Sequence, residues 1–159
     1  MSFDEDHANR VFTVEEANRT LPLVRAIVAD LAKLSSQVVE RRQRVSQLLA
    51  GREPESGDPY ADELAAVQRQ VEHDSSRLEE YTSELKELGV IARNGPEGLV
   101  DFPAVLDGRP AFLCWKLGES EVLFWHDLND GYIDRLPLTA DSVSDSVSDS
   151  TGGDNSFEV

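Results

Sequence analysis

The residues of this chain that could take part in chemistry lie mostly between positions 101 and 135. They comprise a histidine, the single cysteine, an arginine, a tryptophan and four carboxylates: Asp101, Cys114, Glu119, Glu121, Trp125, His126, Asp127 and Arg135. Such side chains bind transition metals or act as acids, bases and nucleophiles. Any catalytic or metal site of the chain is therefore expected in this segment.

One hypothesis for this segment is a small hydrolase-like enzyme. His126 would act as the acid or base, and a carboxylate, Asp101 or Glu119, would orient its ring. The alternative is structural, with Asp101 paired to the backbone or to Arg135 and His126 as a hydrogen-bonded packing residue. A nucleophilic pair of Cys114 with His126 is disfavoured, because no helix N-terminus or nearby base is predicted to lower the pKa of the thiol.

A divalent metal site is the second chemical hypothesis, with His126, Glu119 and Asp127 as candidate ligands. A zinc site needs three or four such ligands at roughly 2.0–2.3 Å from the ion. The segment has no diagnostic spacing such as H-E-x-x-H or C-x-x-C. The sequence therefore predicts no cofactor, and a divalent metal remains an alternative.

Alternating apolar residues predict the strands that must position these side chains. Three strands are expected in an antiparallel β-meander, at Leu99–Leu106, Pro110–Leu117 and Glu121–Asp127. Asp107-Gly108 and Gly118-Glu119 are predicted as two-residue hairpin turns. Pro103 favours an edge position for the first strand.

Two-residue turns fix a register for this meander. Asp101 then lies opposite Cys114, and Ala111 lies opposite His126. Cys114 and His126 consequently point to opposite faces of the sheet, which argues against an ion shared between them. A slip of one residue would exchange the two faces.

The preceding part of the chain predicts two long helices. Thr13 with Glu16 forms a capping box, and Pro22 is expected to end a short first helix and begin a long one from Pro22 to about Ala50. The second helix is expected from Asp58-Pro59 to Gly89. Apolar residues recur at alternating three- and four-residue steps in both, and the connection is short, so the pair is predicted to form an antiparallel, coiled-coil-like hairpin.

The outer face of the predicted meander is unusually apolar. A sheet covered by one helical hairpin normally leaves its second face polar, yet this face is predicted to carry Phe112, Cys114, Leu123 and Trp125. Self-association is the simplest way to cover it. The side chains predicted to contact a ligand or a second subunit are Phe112, Cys114, Trp115, Trp125, Tyr132 and Arg135.

The 159 residues suit one α+β domain with two polar ends. The expected division is a flexible N-terminus at 1–11, a domain at 12–139 with its hairpin at 13–89 and meander at 90–139, and a disordered acidic tail at 140–159. The net charge is −16, from 31 acidic and 15 basic residues. This charge disfavours binding to nucleic acid or anionic membranes. No apolar leader or membrane-spanning run is present, so a cytoplasmic location is expected.

The motifs of this chain also carry a family resemblance. FTVEEANRTLPLV, ELGV, GLVDFPAVLDGR, LCWKLGE and FWHDLNDGYIDR occur in that order. This arrangement resembles the bacterial domain-of-unknown-function 2203 family, from Phe12 to about Leu138. The family's C-terminal motif resembles G-F-x-x-R, where this chain has Tyr132 in place of the phenylalanine. The resemblance implies which residues form the family's motifs, and it implies no particular reaction.

Three functions compete on these observations. The leading hypothesis is a non-catalytic cytoplasmic binding or assembly protein, a homo-oligomer that contacts itself or another protein through the hairpin and the meander. The alternative is the metal-binding protein or hydrolase-like enzyme described above. A weaker hypothesis is an RNA polymerase-binding factor with an acidic coiled-coil tip, formed by Glu53, Glu55, Asp58, Asp62 and Glu63.

Overall fold

A computed structural model of the protein describes residues 10–50 and 59–139. The predicted acidic tail and most of the predicted flexible N-terminus lie outside these residues. So do three residues of the predicted acidic tip, Glu53, Glu55 and Asp58, whereas Asp62 and Glu63 lie in the first turns of the second helix.

The described residues form two long helices followed by an antiparallel sheet, so the predicted α+β class is confirmed. The elements are α1 (Val14–Leu49), α2 (Pro59–Glu87), β1 (Ile91–Asn94), β2 (Leu99–Leu106), β3 (Arg109–Lys116), β4 (Phe124–Asp127) and β5 (Leu136–Pro137), with a short 3-10 helix at Tyr132–Asp134. The strands lie in the order β1-β2-β3-β4-β5. The predicted count of three strands is wrong, because a short strand is added at each edge.

Helix α1 begins as predicted but is not interrupted. Thr13 accepts a hydrogen bond from the backbone N–H of Glu16 at 3.0 Å. The expected break at Pro22 is wrong, because Pro22 lies inside a continuous helix. Proline removes one helical hydrogen bond, while Leu21 and Val24 beside it are buried against the sheet. Burial of these apolar side chains stabilises the helix through the proline.

The hydrophobic core lies between the sheet and one end of the helical hairpin. α1 contributes residues from Val14 to Leu31, and α2 contributes residues from Leu78 to Leu85, with Leu88 packed just beyond the end of the helix. On the sheet, Phe102 and Trp115 are fully buried. Within residues 10–50 and 59–139, no helix is both long and apolar enough to cross a membrane.

The helices continue beyond this core as an arm, which we define as residues 38–50 and 59–75. α1 has 36 residues and is about 54 Å long at 1.5 Å per residue. In the arm α1 packs along α2, with ion pairs from Arg41 to Asp74 and from Arg44 to Glu63. The arm is therefore a two-helix structure attached to a more fully packed body.

The predicted register between β2 and β3 is confirmed, and the predicted register between β3 and β4 is wrong. Asp101 lies opposite Cys114, as expected from the turn at Asp107-Gly108. Between β3 and β4, however, His126 lies opposite Phe112 instead of Ala111, and Phe124 lies opposite Cys114. His126 is consequently on the same face as Cys114, the outer face of the sheet.

The register of β4 differs from the predicted one because Gly118-Glu119 is not a two-residue hairpin turn between β3 and β4. Residues 117–123 connect β3 to β4 as a longer segment. Its backbone is held from elsewhere in the fold: Val122 N–H donates to the side chain of Asn18 in α1 at 2.7 Å, and Leu117 N–H donates to the carbonyl of Gly98 at 2.9 Å. A local turn, in which Glu119 N–H donates to the carbonyl of Lys116 at 3.0 Å, begins the segment, and these distant contacts position the rest of it before β4.

The prediction that β2 is an edge strand is also wrong. β1 pairs with β2 along Leu99–Asp101 only. Pro103 lies beyond this short pairing, where its missing N–H is not required by β1. The proline therefore limits the length of the neighbouring strand instead of placing β2 at the edge.

Candidate functional site

A buried histidine–carboxylate contact occupies the outer face of the sheet. His126 and Asp101 are 3% and 1% exposed. Nε2 of His126 lies 3.0 Å from each of the two carboxylate oxygens of Asp101. Nδ1 of the same ring lies 2.8 Å from the backbone carbonyl oxygen of Asp127. The contact forms because His126 lies opposite Phe112 in the observed register, which puts its ring on the same face as Asp101.

Both ring nitrogens of His126 thus face hydrogen-bond acceptors. A ring that carries protons on both nitrogens donates to both acceptors, whereas a singly protonated ring would direct one lone pair at an oxygen. Both nitrogens are engaged within the protein, and the ring joins β4 to β2 across the intervening strand β3.

Arg93 is a third member of this cluster, and the sequence interpretation missed it. Its Nε donates to Asp101 at 2.8 Å, and its guanidinium carbon lies 5.0 Å from the ring centroid of Phe112. Phe112 in turn packs on His126, with ring centroids 5.5 Å apart. The alternation of β1 would have indicated Arg93 only if that short strand had been predicted.

The predicted Asp101–Arg135 pair is wrong, since Arg135 pairs with Glu119. Arg135 Nη1 donates to Glu119 Oε1 at 2.9 Å, and the same oxygen accepts the backbone N–H of Lys116 at 2.7 Å. Burial alone lowers the pKa of Arg135, but the hydrogen bond and charge of Glu119 outweigh it and raise the pKa above its ordinary value. Glu119 therefore holds the C-terminal part of the sheet instead of orienting His126.

The predicted aromatic contacts divide between this pair and the core. The guanidinium carbon of Arg135 lies 3.9 Å from the ring centroid of Phe124 and 4.3 Å from that of Tyr132. Trp115 is fully buried in the core, and its Nε1 donates to the carbonyl of Glu119 at 3.1 Å. Trp125 also packs against the core. Its predicted place on the outer face is wrong because the register of β4 differs by one residue from the predicted one.

Cys114 lies fully buried among these charged groups. Burial first and the charge of Asp101 second raise the pKa of its thiol to about 12, against a partial opposing effect of Arg135. The thiol is therefore neutral near pH 7, and a neutral thiol is a poor nucleophile. The predicted placement of Cys114 and His126 on opposite faces of the sheet is wrong, since both lie on its outer face.

Asp101, Cys114 and His126 also form the one group in the described residues that could hold a metal ion, with ligand atoms within 4.8 Å of one another. Of the predicted ligands, only His126 belongs to this group. Glu119 pairs with Arg135, and Asp127 contacts the histidine through its backbone. An ion would have to replace any proton on the bound ring nitrogen and ionise a thiol whose pKa burial raises to about 12.

Comparison with known proteins assigns the chain to a family. No curated protein and no solved structure matches it. The sequence model of one family, described as "Uncharacterized conserved protein (DUF2203)", matches residues 10–138. The match spans the hairpin, the sheet and all the residues of the site described above. The chain therefore belongs to the DUF2203 family.

Proposed function

We propose that the protein is a non-catalytic cytoplasmic assembly protein that self-associates through the arm of its helical hairpin. The observation that carries the proposal is the incomplete cover of the seam between the two helices. Val45, Val67 and Val71 are only half-buried there, whereas helix pairs in bundles cover such residues with further helices. A second copy laid against the arm would complete a four-helix arrangement.

A groove along the arm offers a surface for that second copy. It has a volume of about 350 Å³ and is lined by Arg42, Val45, Gln68, Val71 and Glu72. The two valines form an apolar floor between a cation on α1 and an anion on α2. A two-fold axis brings the same patch of each copy together, so Arg42 of one copy can approach Glu72 of the other.

Charge also favours the arm over the rest of the molecule as the contact surface. The whole chain carries −16, which repels a second copy at most places on its surface. The arm contains four basic residues and five acidic ones, a net charge of −1: Arg41, Arg42, Arg44 and Arg69 with Glu40, Asp62, Glu63, Glu72 and Asp74. Two arms can therefore meet with little repulsion.

The non-catalytic part of the proposal rests on the outer face of the sheet. Both nitrogens of His126 are engaged by the protein itself, Glu119 is paired, and the thiol of Cys114 is neutral. These groups serve as internal connections between strands. A single buried cysteine also suits a reducing compartment such as the cytoplasm.

Light scattering coupled to size-exclusion chromatography tests the proposal. Leu49 is 44% exposed and lies one helical turn from Val45, while Leu23 is 53% exposed on the same helix but within the body. We expect the wild-type chain to form a dimer or larger oligomer and Leu49→Glu to dissociate it. The matched control Leu23→Glu is expected to retain the wild-type mass.

Two results would contradict self-association through the arm. One is a wild-type protein that stays monomeric at every concentration measured. The other is an equal effect of Leu49→Glu and Leu23→Glu on the measured mass, with both variants still helical by circular dichroism. The second result would leave self-association in place but remove the arm as its site.

A further inference from the structure

A second depression lies where the arm meets the sheet. We call it the cleft; it has a volume of about 330 Å³, and α1, α2, β1 and the β1–β2 turn all contribute to its walls. Leu31 and Val38 of α1 are buried beneath it, and Leu78 of α2 and Ala92 of β1 are half-buried at its sides. An aliphatic side chain placed here would leave water for an apolar surface, which is favourable in proportion to the area covered.

The cleft and the groove of the arm lie on the same side of the hairpin. Arg42 lines both of them. Four residues follow one another along α1 at steps of four, three and four positions: Val38, Arg42, Val45 and Leu49. This spacing places them on one face of a helix with 3.6 residues per turn. The cleft, the groove and Leu49 therefore form one strip along the arm, in that order.

Both ends of this strip carry an apolar side chain that is open to water. Leu49, beyond the groove, is 44% exposed, and Val39, which lines the cleft, is 43% exposed. Apolar side chains gathered along one open strip are typical of a surface that a partner covers. The strip is longer than the groove alone, so a partner that fills only the groove would leave both ends uncovered.

The strip is symmetric about the centre of the groove. On α1 the groove is lined by Arg42 and Val45. The point midway between these two residues is also the point midway between Val38 and Leu49. At 1.5 Å per residue, Val38 and Leu49 each lie about 8 Å from this point along the helix. A two-fold axis that crosses α1 here at a right angle places Leu49 of one copy over Val38 of the other.

We propose that the arms of two copies pack antiparallel and that Leu49 of each copy occupies the cleft of the other. This inference rests on the proposed self-association and adds its orientation and register. Charge favours the antiparallel orientation: the arm carries −1 of the net charge of −16, so −15 lies outside it. Antiparallel packing keeps these charges at opposite ends of the pair, whereas parallel packing brings them side by side.

Cysteine cross-linking of the full-length protein tests the register. In Val39→Cys/Leu49→Cys the two thiols of one chain are ten residues apart on α1, about 15 Å, whereas a disulfide needs Cα atoms about 4.4–6.8 Å apart. Any disulfide between these positions therefore joins two chains. We expect mild oxidation with diamide to give several-fold more covalent dimer than in either single variant, with free thiols blocked before denaturation.

Glu40→Cys/Leu49→Cys is the matched control. Glu40 is as close to Leu49 along the chain and is exposed, but it does not line the cleft. One residue on a helix turns the side chain by about 100°, so the thiol at position 40 points away from the strip. We expect this variant to remain mainly uncross-linked under the same oxidation.

A spin label on Asp30→Cys tests the orientation without changing the strip. Asp30 is exposed on α1 and lies about 20 Å from the centre of the groove along the helix. Antiparallel packing then separates the two labels of a pair by about 40 Å or more, which pulsed electron paramagnetic resonance measures. Parallel packing would bring them within about 30 Å, roughly the width of paired helices with the label arms added.

Three results would overturn the inference. They are cross-linking of Leu49→Cys alone, which a parallel pair would give, equal cross-linking of the Val39 double variant and its Glu40 control, and the short separation of the labels on Asp30→Cys. Light scattering of the same samples shows whether self-association itself remains. A monomeric wild type would remove both the proposed function and this inference, whereas any of the three results in a dimeric sample removes the inference alone.

Discussion

Nε2 of His126 lies 3.0 Å from both carboxylate oxygens of Asp101, although the two residues belong to β4 and β2 and a whole strand separates them. The contact is almost fully buried. A buried carboxylate requires compensating donors, and here these are the imidazole and the guanidinium of Arg93. The outer face of the sheet is therefore held together by hydrogen bonds that converge on the carboxylate of Asp101.

Removing the imidazole should weaken the sheet markedly. His126→Phe leaves Asp101 buried with one donor fewer, and breaking a buried pair of this kind typically costs about 3–5 kcal/mol of unfolding free energy. Urea denaturation followed by circular dichroism measures the change. A loss of less than ~1 kcal/mol, close to that of an ordinary surface substitution, would contradict the structural role.

Asp127→Asn is the matched control for this prediction. Asp127 contacts the histidine through its backbone carbonyl, and its side chain is exposed. The amide leaves that carbonyl in place, so the unfolding free energy should change by less than about 0.5 kcal/mol. A loss as large as that of His126→Phe would mean that the carboxylate of Asp127, and not the ring contact, supports the strand.

The sequence was informative wherever a local turn fixed the geometry. Asp107 and Gly108 both adopt positive φ, at 52° and 71°, as a type I′ hairpin requires. The predicted pairing of Asp101 with Cys114 follows directly from that turn. The two long helices were likewise predictable from caps and apolar periodicity, which are local features of the chain.

The candidate site was less predictable because its geometry depends on distant contacts. The start of β4 is set by Asn18, more than 100 residues away along the chain, and no local signal specifies that hydrogen bond. The predicted register of β4 was wrong by one residue. It therefore placed His126 on the core face of the sheet, away from Asp101. Arg93 was missed because its strand has only four residues, too few to show an alternating pattern.

Cys114 should make the unfolding free energy fall at high pH. The unfolded thiol ionises near its ordinary pKa of 9.0, while the folded thiol stays protonated up to a pKa of about 12. Between these values the folded state binds one more proton than the unfolded state, so each unit rise in pH lowers stability by at most about 1.4 kcal/mol. Below pH 9 the effect vanishes.

Chemical denaturation of the wild type and Cys114→Ala at several pH values between 8 and 11 isolates this contribution. Other groups titrate in both proteins, so the difference between the two isolates the thiol. We expect the stability advantage of the wild type to shrink as the pH rises. A difference that stays constant, together with rapid alkylation of the native thiol by iodoacetamide, would show that Cys114 is not protected by burial.

The pair of Arg41 with Asp74 should matter mainly when one partner is removed. Asp74 is buried in the seam of the arm and accepts hydrogen bonds from Arg41 and from Gln70. Arg41→Leu leaves the carboxylate without its cation and should cost about 3 kcal/mol, whereas the double variant Arg41→Leu/Asp74→Leu should recover most of the loss. Urea denaturation of the two single variants and the double variant gives the coupling between the residues. Strictly additive effects would contradict a direct interaction.

Glu119 should control the attachment of the last strand. Its carboxylate accepts hydrogen bonds from Arg135 and from the backbone N–H of Lys116, and β5 follows Arg135 immediately. Glu119→Ala removes the oxygen that accepts both hydrogen bonds. The amide of Leu138, which donates to the carbonyl of Leu123 at 2.8 Å, should therefore exchange its hydrogen faster. Amides between β2 and β3 should be unaffected, because local opening of an edge does not require unfolding of the core. Glu121→Ala changes an exposed neighbour and is the control. It should leave the hydrogen exchange of the Leu138 amide at its wild-type rate. An equal acceleration of that exchange in both variants would mean that the Arg135–Glu119 pair does not hold the strand.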